Sequence, residues 1–209
     1  MKLKPGQKRA LMLNSGGFDS IVLHHKLVSE GYKVTSLFFD YGQNNAEQEL
    51  RSVERLNEHH IMLNLPPFSW SKATITTNGE HLESVHQEYV EMRNLIFLSY
   101  AVSIAEAHAI KDVYFAVIKT PTTYKDACHQ FVKDFNIISR TCDIEIHTPF
   151  LDMEKKELMN LAKKFDVTQE DFFSCYYPAQ NNKPCVLPYK VNESVRLCAV
   201  CLITVNFGL

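Results

Sequence analysis

Six consecutive residues, Ser15-Gly16-Gly17-Phe18-Asp19-Ser20, gather two glycines, two hydroxyls and a carboxylate just after the apolar run at 11–13 and Asn14. Glycines in such a turn let backbone amides approach an anion closely. A helix that starts there adds unsatisfied N–H groups and a positive dipole end. The Ser15 and Ser20 hydroxyls can donate to phosphate oxygens, and Asp19 can cap the helix or hold a Mg2+ ion that bridges phosphates. No Gly-Lys-Ser/Thr follows and G-x-G-x-x-G spacing is absent, so this is neither a Walker A loop nor a dinucleotide fingerprint. A second set lies near the C-terminus: Cys175, Cys185, Cys198 and Cys201, spaced C-x9-C-x12-C-x2-C. Four thiolates fit a closed tetrahedral Zn2+ site of the structural kind, able to staple a tail that buries little core of its own. The plainer alternative is four unrelated buried cysteines. Cys128 and Cys142 stand apart and read as small core residues.

A phosphate turn works only where a strand delivers it and a helix leaves it. After the loop, Ile21, Val22, Leu23, Leu27 and Val28 recur at helical spacing, and Gly31 suits the residue just past a helix end. Residues 34–39 read as a buried strand that runs into Asp40-Tyr41-Gly42-Gln43. A helix with Ala46, Leu50, Val53 and Leu56 on one stripe follows, then a strand at 61–65 stopped by Pro66-Pro67. Residues 66–91 read as a long loop, 93–109 as a strong helix, 113–118 as a strand, 129–138 as a helix and 144–146 as a short strand. Asp152 can cap a last helix carrying Leu158, Leu161, Ala162 and Phe165. From residue 174 the chain reads as irregular and cysteine-rich. Strands alternating with helices predict an α/β fold, a parallel sheet with helices on both faces. The expected organisation is an α/β domain over 1–173 and a Cys-rich, zinc-binding segment over 174–209. Ligands bind such sheets beyond the carboxyl ends of the strands. The polar clusters at 14–20, 40–43 and 119–126 fall there.

Lys and Arg number 22 against 24 Asp and Glu, a net charge of -2 that gives no electrostatic pull toward nucleic acid or an anionic membrane. The most apolar stretch, 95–110, contains Ser99, Ser103, Glu106 and His108 and falls short of the ~20 apolar residues of a membrane span. The basic N-terminus precedes an apolar run of only residues 10–13, too short for a signal-peptide core. A cytoplasmic protein is expected, and clustered thiols in that compartment read as metal ligands rather than disulfides.

Ser-Gly-Gly-x-Asp-Ser after a first strand resembles the pyrophosphate loop of the N-type ATP pyrophosphatases, which cleave ATP between the α and β phosphates and adenylate a substrate oxygen. Further segments narrow the resemblance. Phe39-Asp40-Tyr41-Gly42-Gln43, then Arg93-Asn94-Leu95-Ile96-Phe97-Leu98-Ser99, then Ile146-His147-Thr148-Pro149, then Ser174-Cys175-Tyr176, Pro184-Cys185 and a closing Cys-x-x-Cys are similar, in order and spacing, to the 7-cyano-7-deazaguanine synthase family. That family converts 7-carboxy-7-deazaguanine, ATP and ammonia to the nitrile used in queuosine and archaeosine synthesis.

The resemblance implies an adenine nucleotide alpha hydrolase-like fold, an ATP- and Mg2+-dependent ligase, a Zn2+-binding tail and a homodimer. It implies a nucleotide site at Leu13, Ser15, Gly16, Gly17, Asp19, Ser20, Phe39, Gln43, Arg93 and Asn94. Substrate contacts would come from Asp40, Tyr41, Tyr124 and Asp126, and chemistry from Asp19, Ser20, Arg93 and Lys155. His147 reads as a structural histidine. Several positions depart from the family pattern. Met92 stands where the family has glycine before the Arg-Asn pair. Tyr124-Lys125-Asp126-Ala127-Cys128 replaces Tyr-Pro-Asp-Cys-Arg. About ten extra residues, including 187–196, separate Cys185 from Cys198, and the arginine soon after the last cysteine is absent. These departures open a second expectation: a diverged ligase that passes the same activated carboxylate to a protein amine, as in bacterial antiviral defence. A nucleotide-binding module without catalysis is a third, and a tRNA-binding modification enzyme a weaker fourth.

Overall fold

The structure, a computed structural model, describes residues 6–56, 59–71, 73, 75–76, 89–119 and 124–175, and the backbone of 189–191 and 194–196. Strand β1 (Arg9–Leu13) lies at the centre of a five-stranded parallel sheet. Helix α1 (Phe18–Ser29) returns the chain to β2 (Lys33–Asp40), and α2 (Ala46–Arg55) returns it to β3 (His59–Asn64). The chain then crosses to the other side of β1. Helix α3 (Arg93–Ala107) leads to β4 (Asp112–Phe115), and α4 (His129–Ser139) to β5 (Glu145–His147). Helix α5 (Lys155–Lys164) follows. The strand order is β3-β2-β1-β4-β5, so successive crossovers leave β1 in opposite directions and open a crevice at its carboxyl end.

Alternation along β1 explains the two helical layers. Ala10 and Met12 point to one face, where they pack with Ile21, Leu23 and Leu27 of α1 and Leu158 and Ala162 of α5. Leu11 and Leu13 point to the other, where Phe97, Leu98, Ala101 and Ala105 of α3 and Phe135 of α4 cover them. Every side chain of β1 after Arg9 is buried, as a strand sandwiched between layers requires.

Three readings of the sequence change. The strand expected at 113–118 ends at Phe115, because Phe115 pairs with Leu13, the last residue of β1, and β5 offers partners only as far as Tyr114. Asp152 does not cap the last helix. Its carboxylate pairs with the His129 imidazole at 2.7 Å, and α5 starts later, behind Glu154, whose N–H donates to the Glu157 carboxylate at 2.8 Å. The tail is not wholly irregular either: β6 (Tyr189–Val191) and β7 (Ser194–Arg196) pair antiparallel, two residues apart, the spacing of a tight hairpin. This hairpin falls inside the lengthened segment between Cys185 and Cys198. His147 sits where expected of a structural residue, stacked on Tyr114 and bonded to Asp112 at 2.8 Å.

Candidate active site

The loop after β1 is fixed by Asn14. This residue is buried; its amide nitrogen donates to Ser36 Oγ at 3.0 Å, and its carbonyl oxygen accepts the Gly16 N–H at 3.0 Å. Gly16 holds φ +71, and a Cβ there would lie 2.1 Å from the Glu49 carbonyl oxygen. The position therefore needs glycine twice over, for its left-handed backbone and for the passage of α2. The Ser15 and Ser20 hydroxyls stand 3.1 Å apart, close enough for one anion oxygen to accept from both. α1 begins at Phe18, so the N–H groups of its first turn lie at the same loop, that of Phe18 being held by Ser174 Oγ at 2.9 Å. Asp19 lies in the first turn, and its carboxylate pairs with the Lys155 ammonium, which also sits 4.5 Å from the Phe18 ring centroid. One carboxylate beside a glycine-rich loop could hold Mg2+, which takes one or two carboxylates and fills its remaining positions with phosphate oxygens and water.

A cavity of about 150 Å³ opens beside the loop, lined by Leu13, Asn14, Ser15 and Ser20 on one side and by Phe39, Tyr41, Glu49, Arg93 and Phe97 on the other. Phe39 and Phe97 stack with centroids 4.2 Å apart, a flat apolar wall. Arg93 donates to the Tyr41 hydroxyl at 2.6 Å, and its guanidinium lies 5.5 Å from the Tyr41 centroid and 5.9 Å from that of Phe97. It is held as a rigid planar donor. Burial raises the Tyr41 phenol above its usual range, against the pull of Arg93. Gln43 is spent on positioning: it donates to the Phe39 carbonyl at 2.9 Å and to Glu49 at 3.3 Å, and accepts the Tyr41 N–H at 2.9 Å. Asp40 accepts the Gly42 N–H at 3.0 Å and so closes the turn.

Glu49 is the carboxylate that lines this cavity. It is 8% exposed, and burial pushes it up to about 8 despite hydrogen bonds from Gln43 and Asn45 and the charge of Arg93. Sequence reading passed over it as one more charge on a helix. The signal was its position: three residues after Ala46 and four before Val53, it falls on the apolar stripe of α2.

Tyr124 and Asp126 stand at the start of α3, next to Asn94, and are not among the side chains that line the cavity. The buried Asp126 accepts the Asn94 N–H at 2.8 Å, and the Asn94 side chain donates to the Asp126 carbonyl at 3.0 Å. Tyr124 stacks on Tyr89, whose hydroxyl accepts the Met92 N–H at 3.1 Å. Between these supports Met92 takes φ 49 and ψ 32, the left-handed conformation that costs a residue with a Cβ about 1 kcal/mol. Met92→Gly is therefore expected to raise the unfolding temperature by ~2–4 °C. A fall instead, in a thermal melt, would mean that the Met92 side chain contributes more by packing than its backbone loses by strain.

These features place a glycine-rich loop, an aromatic wall and a fixed arginine in one crevice. Comparison with known sequences adds the family. A profile described as Queuosine biosynthesis protein QueC matches residues 9–187. The chain belongs to the QueC family. It is 33% identical over 202 residues to the 7-cyano-7-deazaguanine synthase of Rickettsia akari (strain Hartford), covering 85% of this chain and 88% of that one. It is 29% identical over 203 residues to the protein of the same name from Leptospira interrogans serogroup Icterohaemorrhagiae serovar copenhageni, covering 88% and 84%. Among solved structures, a 4-thiouridine synthetase–RNA complex with bound ATP superposes with TM-score 0.51 at 18% identity, over 85% of this chain and 46% of that one. A predicted tRNA methyltransferase subunit from Methanocaldococcus jannaschii gives 0.50 at 16%, over 75% and 74%. At such identities the likeness is one of fold, a parallel sheet with helices of the kind described above.

In this QueC-family chain the fold brings Leu13, Ser15, Ser20, Phe39, Tyr41, Gln43, Arg93 and Asn94 to the cavity wall, with Gly16, Gly17 and the Asp19–Lys155 pair at the loop beside it. Cys175 is described and buried; Cys185, Cys198 and Cys201 lie outside the described residues. Among the described residues no three His, Cys, Asp or Glu side chains gather to hold a metal, and no helix is long and apolar enough to cross a membrane.

Proposed function

We propose that this chain adenylates the carboxylate of 7-carboxy-7-deazaguanine with ATP and passes the activated acyl group to ammonia, giving 7-cyano-7-deazaguanine. The observation that carries the reading is the opening of the Ser15–Ser20 hydroxyl pair and the Arg93–Phe97 wall onto one cavity. A carboxylate oxygen attacks the α-phosphorus, the bond to the β-phosphate oxygen breaks, and pyrophosphate leaves with the electron pair. The Ser15 and Ser20 hydroxyls and the amide and dipole end of the first turn of α1 stabilise the charge that grows on the leaving group, which is catalysis by preorganised donors. Lys155 holds the Asp19 carboxylate at the same helix end. Mg2+ held at Asp19 would neutralise phosphate charge. Ammonia then attacks the acyl carbon and loses a proton as AMP departs, leaving the amide. The amide oxygen attacks the α-phosphorus of a second ATP and expels pyrophosphate, and loss of AMP, which carries that oxygen away, with two protons leaves the nitrile.

Arg93 is proposed to orient an anionic oxygen of substrate or nucleotide. Arg93→Lys loses the planar fork and its stacking, and kcat/KM is expected to fall about 10- to 100-fold, the value of a hydrogen bond to a charged group. An unchanged kcat/KM would remove Arg93 from the site.

Incubation with ATP, Mg2+, 7-carboxy-7-deazaguanine and ammonium, with products read by mass spectrometry, tests the whole reaction. Nitrile is the expected product; an absence of pyrophosphate would leave a nucleotide-binding module. A second reading is favoured by the hairpin β6–β7 in the lengthened tail and by Met92 at the α3 start. In it the same acyl-adenylate is transferred to a protein amine, and the assay would yield pyrophosphate without nitrile. We also propose Zn2+ at Cys175, Cys185, Cys198 and Cys201, supported by four thiols and the burial of the first. Metal analysis of chelator-free protein should give one zinc per chain; a stably folded, metal-free chain would contradict it.

A further inference from the structure

The phosphate loop has a neighbour from far along the chain. The Phe172 ring stands edge-on to Phe18 at 5.0 Å, and the Phe173 N–H donates to the Gly16 carbonyl at 3.0 Å. Next to it, Ser174 Oγ accepts the Phe18 N–H at 2.9 Å, a contact spanning 156 positions of sequence. The approach is close: a Cβ added to Gly17 would meet Ser15 Oγ at 3.2 Å, Ser174 Oγ at 3.5 Å and the Phe173 carbonyl at 3.9 Å. Cys175, immediately after, is buried, so the backbone that carries Ser174 is fixed on both sides.

The Phe18 N–H is among the donors that a helix start leaves for an anion. A hydroxyl that accepts this hydrogen bond keeps its own proton to give. Ser174 is thereby aimed at the same loop as the Ser15 and Ser20 hydroxyls. We propose that Ser174 is a third phosphate-binding hydroxyl, donating to the pyrophosphate half of ATP, so that the segment 172–175 belongs to the nucleotide site and not only to the tail. This rests on the nucleotide reading given above and goes further by making the pyrophosphate grip depend on a residue outside the loop.

Binding of inorganic pyrophosphate, ATP and AMP, measured by calorimetry with Mg2+ and without any deazaguanine, tests the assignment. Ser174→Ala is expected to weaken pyrophosphate and ATP about 10- to 100-fold while leaving AMP within about twofold, and to raise the KM for ATP more than it lowers kcat. Ser174→Thr, which restores the hydroxyl, is expected to recover most of the affinity. A thermal melt shows whether the alanine variant is folded. If Ser174→Ala is folded and binds all three ligands as the parent does, or loses all three equally, Ser174 is a helix cap alone and the proposal falls. If the parent chain binds neither pyrophosphate nor ATP, the nucleotide reading falls with it, which separates the two failures.

Discussion

Gly16→Ala is expected to lower kcat/KM at least ~100-fold and to cost the fold about 3 kcal/mol. The left-handed φ of +71 costs a residue with a Cβ about 1–2 kcal/mol. The new methyl would also lie 2.1 Å from the Glu49 carbonyl oxygen, a backbone atom that cannot rotate away, and such overpacking costs ~1–3 kcal/mol more. Either the loop or α2 must move. A shift of ~1 Å at reacting groups is enough for the loss of activity. Gly31→Ala supplies the control. Gly31 has a similar φ of +83, yet nothing lies within 4 Å of its added Cβ. It should lose about 1 kcal/mol and no activity. Equal effects at both glycines, in melts and in turnover, would show that the close approach of Glu49 to the loop does not matter.

Glu49→Gln should reshape the dependence of stability on pH. Unfolded, Glu49 titrates in the ordinary carboxylate range; folded, burial pushes it up to about 8. At low pH both states hold the proton and burial of the neutral carboxyl carries no charge penalty. As pH rises, the unfolded chain releases its proton first, and stability falls until the folded group also ionises. The window runs from about pH 5 to about pH 8, and the loss is on the order of 4 kcal/mol. The groups that face Glu49 are Gln43 and Asn45, which donate to it, and Arg93 from α3; Asp40 and Tyr41 close the same turn. Glutamine does not titrate, so the variant's profile should be nearly flat across this window. At pH 8 it should be more stable than the parent by about 3 kcal/mol, one hydrogen bond having been given up in exchange. Parallel stability profiles for the two chains would place the Glu49 carboxyl in contact with water instead.

The sequence shows the loop well because its chemistry is local: two glycines, flanking hydroxyls and a strand on one side and helix on the other need no distant partner to be recognised. The layers of the sheet were similarly legible from strands alternating with helices and from the apolar stripes of α1 and α5; which face each residue of the apolar run 10–13 of β1 takes follows from the structure. Where strands end was not. Val117 and Ile118 have strand-forming side chains, but β4 stops because β1 stops at Leu13, a fact about the neighbour. Asp152 has the right chemistry for a cap and is drawn away by His129, 23 residues upstream. Glu49 hid because a carboxylate on a helix is ordinarily solvated, and its place on the apolar stripe of α2 was the one sign that it faces inward, onto the cavity. Ser174 contacts a residue 156 positions away, which no local pattern could reveal. Tyr124 and Asp126 entered as expected substrate contacts, whereas their support of the α3 start depends on hydrogen bonds and stacking to Asn94 and Tyr89, more than 30 positions upstream, that the sequence does not display.

The central claim is adenylation of a deazaguanine carboxylate, and exchange of labelled pyrophosphate into ATP tests it without reference to the amine acceptor. Exchange that requires 7-carboxy-7-deazaguanine and Mg2+, and persists without ammonium, is the predicted result. No exchange with the carboxylate present, or exchange that ignores it, would contradict the account.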